Sequence, residues 1–240
     1  MTDEELRQYL SFYRDLGVKT VNRRTVPDAQ PGVFPEPAPA IPPLPGLHPT
    51  DDTLAKIRED MGDCKRCRLG DGRKKLVFGS GNEQARLVFV GEGPGADEDE
   101  QGLPFVGRAG QLLTQMIEGT ARKEGIPLTR ADVYICNVVK CRPPENRTPL
   151  PDEMETCGQF LFRQLMALQP GAICALGSTA AKALLGTKEG VTKLRGNWHK
   201  WRDIPVMVTY HPSYLLRPYN QNAKKEAWED LKKVLHYVYD

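Results

Sequence analysis

Four short apolar runs, each followed by sequence of helical periodicity, set the plan of the chain. The first is Leu87–Val90 (LVFV); a Gly/Pro/acid loop follows it, then Ala109, Leu112, Leu113, Met116 and Ile117 at the i, i+3, i+4, i+7, i+8 spacing of one helix face. The second, Val133–Val139 (VYICNVV), is rich in β-branched residues, and after Pro151 comes a helix with Met154, Cys157, Leu161, Leu165 and Leu168 on one face. Ala172–Leu176 leads into a helix opening at Ser178 and Thr179. Ile204–Thr209 leads to the closing helix Ala223–Tyr239, striped by Ala227, Leu231, Val234, Leu235 and Val238. Four strand-then-helix units predict an α/β fold: a four-stranded, mostly parallel central sheet in a three-layer αβα arrangement.

Open α/β sheets place ligands beyond the carboxyl ends of their strands. The loop after the first strand holds Gly91, Gly93 and Gly95 for close backbone approach, the carboxylates Glu92 and Glu98, and then Phe105. Asn137 ends the second strand and His211 follows the last, so polar groups from three loops are expected on one rim. Asp97, Asp99 and Glu100 read as a solvated acidic stretch.

Outside this plan lie a leader and a linker. Residues 1–25 are expected to form a short helical leader, with Leu6, Leu10, Tyr13 and Leu16 spaced for a helix over 3–16. Residues 26–50 hold nine prolines between Val26 and Pro49, a composition that gives an extended tether or a docking segment for a protein partner rather than a core. A helix starts near Thr53, and residues 51–240 form the compact domain. Net charge is +2 but uneven: residues 1–63 carry 7 Lys and Arg against 11 Asp and Glu, leaving 26 against 20 for the rest. A basic body permits a nucleic-acid partner. The polar N-terminus and the lack of a long apolar run predict no membrane association and a cytoplasmic location, where structural disulfides are rare.

Among the six cysteines, Cys64 and Cys67 form a C-x-x-C pair, Cys141 follows 74 residues later and Cys157 another 16. Four thiolates suit a tetrahedral zinc or an iron–sulfur cluster, with unpaired reduced thiols as the alternative. The wide second spacing disfavours a zinc ribbon, and spacing alone does not choose the metal. Cys136 and Cys174 lie within apolar runs and are expected to be buried small hydrophobes.

Three segments, GEGPGADEDEQGLPFVGRAGQLL, NVVKCRPPENRTPLPDEMETC and HPSYLLR, resemble the signatures of the family 4 uracil-DNA glycosylases, the iron–sulfur branch of that superfamily. The resemblance runs from about Cys64 to the C-terminus. It implies a uracil-DNA glycosylase-like fold and a monofunctional glycosylase that removes uracil from single- and double-stranded DNA, leaving an abasic site for base excision repair. Cys64, Cys67, Cys141 and Cys157 would bind a structural [4Fe–4S] cluster.

The target base must leave the stack and enter a pocket. The resemblance implies that Gly91 and Gly93 floor this pocket, Phe105 stacks on the base and Asn137 reads it. His211 would donate to uracil O2 as the base leaves as an anion. Family 1 enzymes carry a water-positioning Asp where this chain has Gly93, and a thymine-excluding aromatic where it has Gly95. Glu92 and Glu98 are the carboxylates left for catalysis, and Glu98 would either orient water or exclude thymine. His211–Lys225 resembles a minor-groove loop, with Leu215 as wedge, Arg217, Lys224 and Lys225 as phosphate contacts, and Ser178 adding another. A relative that traps uracil covalently uses a His in the segment matching Arg142–Thr156. That segment has no His here, so turnover is expected. The chain is expected to act as a monomer; the competing function is an inactive iron–sulfur DNA-binding accessory of replication or repair.

Overall fold

Apolar runs that lie next to one another as parallel strands bury both their faces, and the four runs of this chain do so. The computed structural model describes residues 51–217 and 220–240; the leader and the Pro-rich linker lie outside the described residues. The strands are β1 (Ser80–Gly81), β2 (Leu87–Gly91), β3 (Tyr134–Asn137), β4 (Ala172–Leu176), β5 (Trp198–Trp201) and β6 (Ile204–Thr209), in spatial order β1-β3-β2-β4-β6-β5. The inner four are parallel, and every residue of β2, β3 and β4 is buried.

Two short antiparallel edge strands therefore extend the four expected. The first is two residues long and carries no apolar signal. The other pairs with β6 through a two-residue turn at Arg202 and Asp203, where Arg202 has φ 53°. Tight hairpin turns need positive φ, and Arg-Asp is not a sequence that announces one.

Helices cover both faces. They are α1 (Leu54–Met61), α2 (Leu69–Gly72), α3 (Ala96–Gln101), α4 (Arg108–Lys123), α5 (Pro151–Leu168), α6 (Gly177–Leu185), α7 (Val191–Leu194), α8 (Pro212–Leu215) and α9 (Gln221–Tyr239). The first begins where expected, with Thr53 Oγ1 accepting from the Lys56 N–H at 3.2 Å. Strand side chains alternate between two cores. Val88, Val90, Cys136, Ile173 and Val208 pack with α1, α5 and α6, whereas Leu87, Phe89, Ile135, Cys174 and Met207 pack with α4 and α9. All five stripe residues of α9 are buried, as are Cys136 and Cys174.

The register aligns the working ends. Gly91 pairs with Asn137, and Leu176 with Thr209 two residues before His211, so the loops after β2, β3, β4 and β6 open on one rim.

Candidate active site

The loop after β2 is not a plain loop. Gly91 to Gly95 leads into α3, which ends at Gly102 in the left-handed conformation, φ 78°. Asp99 does not join the solvated stretch expected of it. It is buried, because its carboxylate accepts from the Lys74 N–H at 2.9 Å and pins the chain before β1.

Glu98 organises the next turn. One of its oxygens accepts from the N–H groups of Val106 and Gly107, each at 2.8 Å, and the other from Gly95 at 3.1 Å. This fixes Phe105 between them at φ 53°, a conformation that costs a non-glycine residue about 1–3 kcal/mol and needs surrounding restraint. Arg130 adds to that restraint by donating to the Pro104 carbonyl at 2.7 Å. Helix α4 approaches so closely that a Cβ at Gly110 would lie 1.9 Å from the Phe105 oxygen. The Phe105 ring ends up 5.6 Å from that of His211, tilted by 37°.

Gly91, Phe105 and Asn137 interlock. A Cβ on Gly91 would lie 2.4 Å from Asn137 Oδ1 and 2.5 Å from Phe105 Cζ, so only glycine leaves this floor open. Asn137 is 1% exposed, yet its Oδ1 has no hydrogen-bond partner. An orphaned buried acceptor costs about 1–3 kcal/mol, which a ligand's N–H would relieve.

His211 caps α8. The Ser213 N–H donates to its Nδ1 at 3.2 Å, which assigns the ring proton to Nε2. Burial pushes its pKa down to about 4, against a smaller upward pull from Glu98, so the ring is neutral at pH 7. Gly177, at φ 90°, lets α6 start against this residue: a Cβ there would lie 3.0 Å from His211 Cβ. Behind it, Thr209 Oγ1 donates to Asp230 at 2.8 Å, and Arg195 pairs with the same carboxylate. Glu92 also lines the cleft, and its carboxylate accepts from the buried hydroxyl of Thr179 on α6. A side chain on Gly93 would meet Val139 Cγ2 at 2.7 Å. Sequence reasoning missed Thr179, Ser213, Asn146 and Arg147. The last two line the cleft, and Arg147 is held by two hydrogen bonds to the fully buried Glu153.

Cys64, Cys67, Cys141 and Cys157 line one small chamber on the α1 and α5 side of the sheet. Three of their sulfurs accept from nitrogen donors: Cys64 from Arg66 at 3.6 Å, Cys141 from Arg73 at 3.4 Å and Cys157 from the Lys140 backbone at 3.3 Å. Burial pushes the Cys157 thiol up to about 12, so without a cation beside it the sulfur is a neutral thiol at pH 7. Among the described residues, no three His, Cys, Asp or Glu side chains are gathered tightly enough to hold a metal ion. The donor set itself, four thiols from three chain segments with donors to three sulfurs, fits a thiolate-held group.

The family model described as "Uracil DNA glycosylase superfamily" matches residues 78–232. The chain is 44% identical to the type-4 uracil-DNA glycosylase of Thermotoga maritima over 194 residues, 80% of this chain and 98% of that protein. It is also 44% identical to the type-4 uracil-DNA glycosylase of Sulfurisphaera tokodaii over 191 residues, 76% of this chain and 84% of the relative. Against that of Archaeoglobus fulgidus it is 40% identical over 191 residues, 76% and 92% of the two chains. The chain belongs to the uracil DNA glycosylase superfamily, in its type-4 branch.

In this member of the superfamily, the side chains expected to face DNA differ in exposure. Ser178, Arg217, Lys224 and Lys225 are exposed. Leu215 is not available as a wedge: it is 1% exposed and packs against Ala223 and Ala227, because the single turn of α8 aims it at α9. The exposed apolar side chain of α8 is Tyr214, 39% exposed, stacked on Tyr210 at 5.3 Å with the Arg217 guanidinium 5.7 Å from its ring. Among the described residues, no helix is long and apolar enough to cross a membrane.

Proposed function

We propose that residues 51–240 act as a monofunctional uracil-DNA glycosylase on single- and double-stranded DNA. One observation carries the mechanism: a buried carboxamide with an unpartnered oxygen, an aromatic ring and a neutral imidazole N–H share one cleft. The flipped uracil stacks on Phe105, a contact worth about 1–3 kcal/mol. Asn137 Oδ1 accepts from N3–H and its amide donates to O4. Cytosine reverses both groups and leaves two buried mismatches. As the glycosidic bond breaks, His211 Nε2–H donates to O2, where negative charge develops.

The two carboxylates divide the remaining work. Glu92, held by Thr179, faces the cleft with an oxygen available to orient water toward the sugar cation. Glu98 spends both oxygens on backbone N–H groups, so it shapes the loop. It also covers the space beside Gly95, where a Cβ would lie 2.8 Å from its Oε2, which favours exclusion of the thymine methyl over water activation.

Arg217, Lys224, Lys225 and Ser178 contact phosphates, and Tyr214, exposed where Leu215 is buried, is the side chain of α8 that meets the DNA. Cys64, Cys67, Cys141 and Cys157 would hold a [4Fe–4S] cluster, supported by the shared chamber and its donors to sulfur. When bound, the cluster supplies a cross-link between chain segments. The protein acts as a cytoplasmic monomer, with the Pro-rich residues 26–50 an extended tether or a docking segment for a protein partner.

Purified protein is expected to be brown, to contain iron and sulfide, and to convert a uracil-containing oligonucleotide into alkali-cleavable fragments with multiple turnover. Uncut oligonucleotide would overturn the activity, a uracil–DNA adduct stable to denaturing electrophoresis would overturn turnover, and colourless protein with stoichiometric zinc would overturn the cluster. Gly91→Ala fills the floor of the pocket. It is expected to reduce excision about 100-fold or more while leaving DNA affinity, read by gel shift, within about threefold of wild type.

A further inference from the structure

Lys140 is 1% exposed, and lysine is almost never buried to that degree unless paired. Among the described residues no carboxylate pairs with it. Its side-chain amino group donates to two neutral oxygens, the Asn137 backbone carbonyl at 2.7 Å and Gln164 Oε1 at 2.5 Å. Gln164, fully buried on α5, donates in turn to the Phe78 carbonyl at 3.0 Å. The Lys140 carbonyl accepts from the Val77 N–H at 2.9 Å, closing a frame of polar contacts inside the apolar layer.

The same residue faces the cysteine chamber with its main chain. Its N–H donates to Cys157 Sγ at 3.3 Å, its peptide leads directly to Cys141, and it helps to line the chamber. Three residues separate Asn137 from Cys141, and Lys140 touches both ends of that interval. Its main chain is fixed by the thiol side, and its side chain reaches back to the residue that reads the base.

We propose that Lys140 is a positioning residue for base recognition. Its side-chain amino group, seated on Gln164, holds the Asn137 carbonyl and thereby aims the carboxamide into the cleft, and its main chain ties that aim to the cysteine chamber. Hydrogen-bonding the backbone oxygen leaves the Asn137 side chain free, which matches the unpartnered Oδ1. A misaim of about 1 Å costs on the order of 100-fold in a positioned reaction.

The inference rests on the proposed function, and the experiment separates the two. Lys140→Met and Gln164→Leu are prepared alongside wild type. Each is assayed for iron and sulfide, for kcat and KM on a uracil-containing single strand, and for binding of free uracil by equilibrium dialysis. Lys140→Met with wild-type iron content is expected to lose about 100-fold in kcat and about 10-fold or more in uracil affinity, with KM for DNA within about threefold, because phosphate contacts lie elsewhere. Gln164→Leu is expected to move kcat and uracil affinity the same way by about 10-fold, and it decides the matter if Lys140→Met is insoluble or iron-poor. A purely structural role would lower the melting temperature and leave uracil affinity unchanged. Uracil affinity and kcat within about twofold of wild type in an iron-replete variant would overturn the inference. A wild type that excises no uracil would remove the proposed function as well.

Discussion

Asn137→Ala is expected to lower kcat/KM for uracil-containing DNA by about two to four orders of magnitude, without lowering the melting temperature of the free protein. The substitution removes two hydrogen bonds to a base that becomes an anion, each worth about 1.5–3 kcal/mol when one partner is charged. In the free protein the balance differs. Asn137 is buried with its Oδ1 unpaired, so truncation relieves an uncompensated acceptor at the edge of a cleft that water can refill. Steady-state kinetics on a uracil oligonucleotide, with calorimetry on the same sample, reads both. A variant that melts well below wild type would mean that the side chain supports the fold rather than waiting for a base.

His211→Ala is expected to reduce kcat by about 100- to 1,000-fold, the usual loss for one donor to a developing anion, with little change in DNA affinity. The protonation state sharpens this expectation. Burial pushes the pKa of His211 down to about 4 from its ordinary 6.5, so the neutral ring acts across the physiological range. Wild-type kcat should show no inflection near pH 6.5 and begin to change only toward pH 4. Stability follows with a definite sign: the unfolded chain takes up a proton near pH 6.5 that the folded chain refuses until about pH 4. This contribution is therefore complete above pH 6.5 and declines as the pH falls through that window. A pH–rate profile of kcat and melting curves at stepped pH check the two halves. A kcat inflection near 6.5 that vanishes in His211→Ala would refute the neutral-ring assignment.

The inner sheet, its helices and the convergence of Gly91, Phe105, Asn137 and His211 were legible because they follow from periodicity and from the ends of strands. Other features depended on contacts between distant segments, to which local pattern is blind. Leu215 sits in a motif that suggests an inserted side chain, but whether a leucine on a one-turn helix points outward is decided by α9, eight or more residues on. Asp99 stands in an acidic run, and only the approach of the Lys74 backbone, 25 residues earlier, buries it. Glu98 lines the cleft, and its hydrogen bonds to Val106 and Gly107 hold the Phe105 turn, contacts that no motif spacing encodes. Local pattern marks Thr179 only as a helix opener. Its bond to Glu92 joins residues 87 positions apart.

The steric interlock at Gly91 also bears on how such a pocket can diverge. No residue larger than glycine fits at position 91 unless Asn137 and Phe105 move together, and Phe105 is itself locked by Gly110 and Glu98. Single substitutions on this side pass through inactive intermediates, so the preference for uracil is hard to drift away from. Gly95 stands differently, since a methyl there meets only the far end of the Glu98 carboxylate. The rim facing the 5-position of the base can be altered one residue at a time. New lesion ranges would therefore arise at positions 95 and 98, while the floor and the reading amide stay as they are.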